Sequence, residues 1–74
     1  MDFKYDKLMG QQIKRAREKK GWSQEQLAAK MQLRGLDITR SALAKIEVGQ
    51  RHIYAEEIKA FKEILKIRYE DLFR

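Results

Sequence analysis

Ser23-Gln24-Glu25-Gln26-Leu27-Ala28-Ala29-Lys30-Met31 and Ile38-Thr39-Arg40-Ser41-Ala42-Leu43-Ala44-Lys45-Ile46-Glu47-Val48 decide how this chain folds. In the first stretch Ser23 is followed three residues later by Gln26, the spacing of a capping box, in which two side chains satisfy two orphan backbone donors. Trp22, just before the cap, and Leu27, at the fourth helical position, have the spacing of a hydrophobic staple. Leu27, Ala28 and Met31 then form an inward stripe, and Gly35 predicts a stop near Leu33 or Arg34. The second stretch repeats the pattern. Thr39 is a candidate N-cap, and Ile38 with Leu43 repeats the staple. Ile38, Ala42, Leu43 and Ile46 share one face, and Arg40, Ser41, Ala44 and Lys45 lie mostly on the other. Gly49 closes the segment.

The flanks read as helices too. From about Asp6 to Lys20, Leu8 or Met9, Ile13 and Ala16 make a narrow apolar stripe among Lys14, Arg15, Arg17, Lys19 and Lys20, ended by Gly21. Ile58, Phe61 and Leu65 predict a helix from about Tyr54 to Lys66, with Glu56 and Glu57 in its first turn but no good N-cap side chain before it. Arg68 to Phe73 reads as a turn or two, folded back by Ile67 and Leu72. No strand-like alternation, repeat or low-complexity tract appears. The expectation is an all-α, compact bundle of about five short helices in a single domain, 1–74, with 1–5 as a frayed arm.

Composition bounds the partners. Such a short chain buries only about 60% of its unfolded surface, so its core is small. With no Cys and one His, neither disulfides nor a metal cluster is expected to reinforce it, and no cofactor is implied. No apolar run approaches the length of a membrane span, and the first residues carry no signal-peptide core, so a cytoplasmic protein is expected. The net charge is +6; residues 1–51 hold 12 basic and 6 acidic residues, and residues 52–74 hold 5 of each. The first two-thirds of the chain therefore offers a surface to polyanions.

Two short amphipathic helices, joined by a Gly-containing turn and carrying small inward residues (Ala28, Ala42), have the layout of a helix-turn-helix over 23–48. In that arrangement the second helix lies in the DNA major groove. Its N-terminal side chains must be long or polar enough to reach base edges, and free backbone donors at its start can face a phosphate. Ser23 reads as a cap, not a nucleophile, because no base lies near it in sequence. Paired carboxylates, a nucleophile with its base and a phosphate-cradling glycine loop are all missing from the sequence, so no enzyme is expected.

Residues 10–73 resemble the lambda-repressor-like helix-turn-helix domains, the Cro/C1 or xenobiotic-response-element type. The resemblance is carried by Ile13-Lys14-Arg15-Ala16-Arg17-Glu18, by Gly21-Trp22-Ser23-Gln24-Glu25-Gln26-Leu27-Ala28, by Ile38 to Glu47 with Gly49, and by Leu65-Lys66-Ile67 and Glu70-Asp71-Leu72-Phe73. It implies a bundle of about five helices and sequence-specific binding of double-stranded DNA, usually by a homodimer and usually in transcriptional control. It also implies residue roles. Arg40, Ser41, Ala44 and Lys45 stand at base-reading positions, and Arg40 has the guanidinium that pairs bidentately with guanine. Gln24 stands where a side chain contacts a phosphate and buttresses the recognition helix, and Gln50 and Arg51 where the backbone is gripped. The helix starts Ser23 and Thr39 join them as candidate phosphate contacts. Arg17 and Glu47 match a structural ion pair.

Three departures from the family pattern stand out. The turn Gln32-Leu33-Arg34-Gly35-Leu36-Asp37 is about five residues longer, so either the second helix gains a turn or a loop bulges, and Arg34 becomes a further candidate phosphate contact. Leu33 and Leu36 there either close the core or form an exposed patch. His52-Ile53-Tyr54 replaces a Pro-containing linker, and Lys66 stands where Gly is common. Phe3 and Tyr5 read as an arm or as part of a dimer interface. The alternative to a DNA-binding regulator is a protein-interaction module, such as an antitoxin or anti-repressor, with Tyr69, Leu72 and Phe73 as its contact.

Overall fold

A computed structural model describes residues 4–73. It contains α1 (Lys4–Lys19), α2 (Gln24–Leu33), α3 (Arg40–Glu47), α4 (Ala55–Leu65) and a closing 3-10 helix (Tyr69–Phe73). The described residues are thus all-helical, with four α-helices where about five helices were expected, because the last segment winds as 3-10. Of the arm expected at 1–5, Lys4 and Tyr5 belong to α1, and Phe3 lies outside the described residues.

The core draws on every element. Met9, Ile13, Leu27, Met31, Ile38, Leu43, Ile46, Ile53, Phe61, Leu65 and Leu72 are buried together. Both expected staples contribute: Leu27, Ile38 and Leu43 are fully buried, and Trp22 packs partly buried against them. The inward side of α1 is more polar than its apolar stripe suggested, since Asp6, Gly10 and Arg17 are buried beside Met9 and Ile13.

Gly10 sets the approach of α1 to α3. A Cβ placed on it would lie 2.0 Å from the Ile46 carbonyl oxygen and 3.3 Å from the Glu47 Cα. The two helices therefore meet backbone to backbone at a point where only glycine fits.

The helices end in one repeated way. At each C-terminus an amide donates to the carbonyl five residues back: Trp22 to Arg17, Leu36 to Met31, Gln50 to Lys45 and Ile67 to Lys62. This closure turns on one left-handed residue. Three helices use Gly21, Gly35 and Gly49, and α4 uses Lys66, at φ 57° and ψ 47°. A side chain in that conformation costs on the order of 1 kcal/mol. Lys66→Gly is accordingly expected to stabilise the protein by about 0.5–1 kcal/mol. A rise in the urea midpoint at unchanged m-value would register it; a fall would show that the Lys66 side chain contributes more than its backbone costs.

The lengthened connector is divided between its two expected courses, with Gln32 and Leu33 in α2 and Arg34 to Asp37 in the turn beyond it. α2 runs on to Leu33, and Gly35 and Leu36 close it with hydrogen bonds to Gln32 and Met31. The Gln32 side-chain amide donates to the Ile38 carbonyl at 2.8 Å, and Arg34 pairs with Glu63 of α4. Leu36 packs on the core, whereas Leu33 is 88% exposed. The extra residues are thus tied to α2 and α4.

Candidate nucleic-acid interface

The interface is built on two capped helix starts. Ser23 Oγ accepts from the Gln26 amide at 3.1 Å, and Gln26 Oε1 accepts from the Ser23 amide at 2.7 Å. Thr39 Oγ1 accepts from the Ala42 amide at 3.1 Å. Each cap fixes where its helix begins.

Burial of Leu43 and Ile46 fixes the rotation of α3. Arg40, Ser41 and Lys45 are exposed on the opposite side, with Ala44 half-buried between them. Val48, the C-cap residue, continues this side and is 55% exposed. Glu47 is the one acidic residue of α3, and it is buried at 3% exposure. The outward face of α3 therefore carries cations without a compensating carboxylate. Neither Arg40 nor Lys45 forms an ion pair among the described residues.

The buried carboxylate of Glu47 organises the ground beneath that face. Arg17 Nε donates to Glu47 Oε2 at 2.7 Å and Arg17 Nη2 to Oε1 at 3.0 Å. Arg17 Nη1 donates to the Trp22 carbonyl at 2.7 Å, and Gln24 Nε2 donates to Glu47 Oε1 at 3.0 Å. One carboxylate thus joins α1, the start of α2 and the end of α3. The Glu47 hydrogen bonds raise the Arg17 guanidinium above its ordinary value against the opposing effect of burial. Gln24 is half-buried, its amide turned to Glu47 of α3, the helix it was expected to buttress.

Beyond α3 the chain is held from two sides. Arg51 Nη1 and Nη2 donate to the two Glu57 oxygens at 2.9 and 3.0 Å. Glu57 Oε1 also accepts from the Tyr54 amide at 3.0 Å, which supplies the start of α4 in place of an N-cap side chain. Burial pushes the Glu57 carboxyl up, but the bonds from Arg51 and Tyr54 outweigh it and hold the carboxyl below its usual range. Arg51, expected at a phosphate, is thus already engaged within the protein, as Arg34 is with Glu63. Gln50 is exposed. His52 Nδ1 lies 3.2 Å from Asp6 Oδ2, and the Ile53 amide donates to Asp6 Oδ1 at 3.2 Å. Asp6 had no sequence signal as a tether, because its partners lie 46 and 47 residues away.

On α1, Lys14, Arg15 and Lys19 are exposed, as is Lys20 in the turn after it. Lys30 and Lys20 place their ammonium groups 4.5 and 5.4 Å from the centre of the Trp22 ring, so that ring is covered from the protein's own side chains. Among the described residues no group of three or more His, Cys, Asp or Glu side chains could hold a metal ion, and no helix is long and apolar enough to cross a membrane.

Comparison with known proteins agrees with this geometry. A family model described as helix-turn-helix matches residues 13–72. No curated protein and no solved structure matches the chain.

Proposed function

The chain belongs to the Cro/C1-type helix-turn-helix family of DNA-binding regulators, and on that premise we propose that it is a sequence-specific, repressor-like regulator that inserts α3 into the major groove of double-stranded DNA. The observation that carries this reading is the outward face of α3, where Arg40, Ser41 and Lys45 are exposed while the helix's one carboxylate is buried against Arg17. Arg40 reads guanine through O6 and N7; Ser41 and Lys45 hydrogen-bond to neighbouring base edges, and Ala44 offers a methyl contact. In this reading Ser23, Gln24, Thr39 and Gln50 contact the phosphate backbone, and Arg34, Arg51 and the Gln24 amide reach it by exchanging or sharing their carboxylate partners. The domain, 1–74, acts as a cytoplasmic homodimer that sets two α3 helices about 34 Å apart, one turn of DNA.

Selection of bound duplexes from a random pool tests binding, specificity and half-site symmetry together. On the selected duplex, Arg40→Ala is expected to cost about 1–3 kcal/mol and to relax the preference at one base pair. Gln24→Ala should weaken selected and random duplexes alike. Equal losses on both kinds of DNA for Arg40→Ala would remove its reading role. The protein-interaction alternative predicts no duplex binding even at low salt, whereas phosphate contacts make affinity fall steeply as salt rises, with a slope near −0.9 per neutralised phosphate.

A further inference from the structure

Arg40, Ala44 and Val48 follow each other at four-residue intervals, so they form one ridge along α3. At about 100° per residue, Ala44 and Val48 fall between Arg40 on one flank and Lys45 on the other. The middle of the outward face is therefore shared by Ser41 at its start and by aliphatic Ala44 and Val48 beyond it. Val48 is held there rigidly: the Gly49 and Gln50 amides donate to the Ile46 and Lys45 carbonyls at 3.1 and 2.9 Å. Its backbone, at φ −102° and ψ 4°, lies in the bridge region just past the last helical residue. More than half of this β-branched side chain is open to solvent on a face that otherwise carries charge and hydroxyl.

We propose that Val48 is a specificity-determining residue that reads the C5-methyl group of thymine. The proposal rests on the major-groove reading above and adds a base that reading leaves unassigned. In the major groove the thymine methyl is the apolar feature of a base edge, and an aliphatic side chain excludes water from it. Val48 lies about 6 Å beyond Ala44 along the helix axis, on the order of two base steps. The continuity of the strip decides the occupant: flanked by Lys45 and following Arg40 and Ser41, an apolar ridge seated against a polyanion meets a methyl group where it meets anything apolar. The half-site is thus expected to place guanine at the Arg40 end and thymine at the Val48 end.

Thymine and deoxyuridine differ by this methyl alone. In the selected duplex each thymine is replaced singly by deoxyuridine, and binding is compared for the wild-type protein and Val48→Ala. Val48 is exposed and outside the core, so the substitution leaves folding nearly unchanged, which thermal unfolding checks. One replacement should weaken the wild type about three- to fivefold, the effect of one buried methyl, and leave Val48→Ala indifferent; a thymine met by Ala44 stays sensitive in both proteins. The proposal is overturned if no replacement matters, or if every replacement that weakens the wild type weakens Val48→Ala equally. Failure of the underlying reading looks different: the pool then yields no preferred duplex at all, and the assignment of Val48 falls with it.

Discussion

Gly10→Ala should destabilise the protein by about 3 kcal/mol, the upper part of the range for overpacking. Two effects oppose each other here. Alanine is the better helix former, worth roughly 1 kcal/mol in an exposed helix interior. Against this stands a Cβ that would fall 2.0 Å from the Ile46 carbonyl oxygen. That atom belongs to the backbone of α3 and has no rotamer to escape into, so α1 and α3 must separate. Separation loosens contacts around Ile13 and Ile46, both fully buried. The steric term wins by a wide margin. Each lost kcal/mol lowers Tm by about 4–8 °C in a domain of this size, so a scan of the variant should show a drop well above 10 °C. An unchanged or raised Tm would mean that the helices can part without loss. DNA affinity of the folded fraction should also fall, because the displaced element is the one that carries Arg40 and Lys45.

Glu47→Ala is expected to cost about 3–5 kcal/mol, the range for removing one partner of a buried ion pair. Arg17 is 8% exposed and donates twice to this carboxylate, and the Gln24 amide donates once. Truncation leaves a guanidinium buried without its counter-charge, and that desolvation outweighs the modest net worth of the pair itself. A double variant separates the two contributions. Arg17→Met combined with Glu47→Met removes both charges, and its stability should return to within about 1–2 kcal/mol of the wild type. If the double variant were no better than Glu47→Ala, the loss would come from packing at α3 and not from an abandoned charge. Equilibrium denaturation of the three proteins decides this.

Much of the fold was legible because its signals are local. Ser23 with Gln26, Thr39 with its flanking Ile38 and Leu43, and Gly35 and Gly49 each act within one helix turn, and α2 and α3 begin and end where those residues require. The outward face of α3 was legible for the same reason, since Leu43 and Ile46 fix its rotation. What stayed hidden is non-local. Gly10 has no side chain, so an apolar periodicity passes over it, yet its smallness is what α3 needs. Asp6 and Glu57 look like surface acids until Ile53, His52, Arg51 and Tyr54 fold onto them. Arg17 and Glu47 entered the reading only through the family resemblance, because nothing in the spacing of residues 30 apart joins them. The connector allowed two courses from sequence and divides between them, held by the Gln32 and Arg34 side chains with partners on Ile38 and Glu63.

Trp22 is the chain's single tryptophan, wedged between Lys20 and Lys30, and its carbonyl is a ligand of Arg17. Its fluorescence therefore reports one corner of the molecule, the joint of α1 and α2, without any attached dye. Because that joint shares Arg17 with the carboxylate under α3, the emission of one indole ring gives an optical readout of whether the platform beneath α3 is intact.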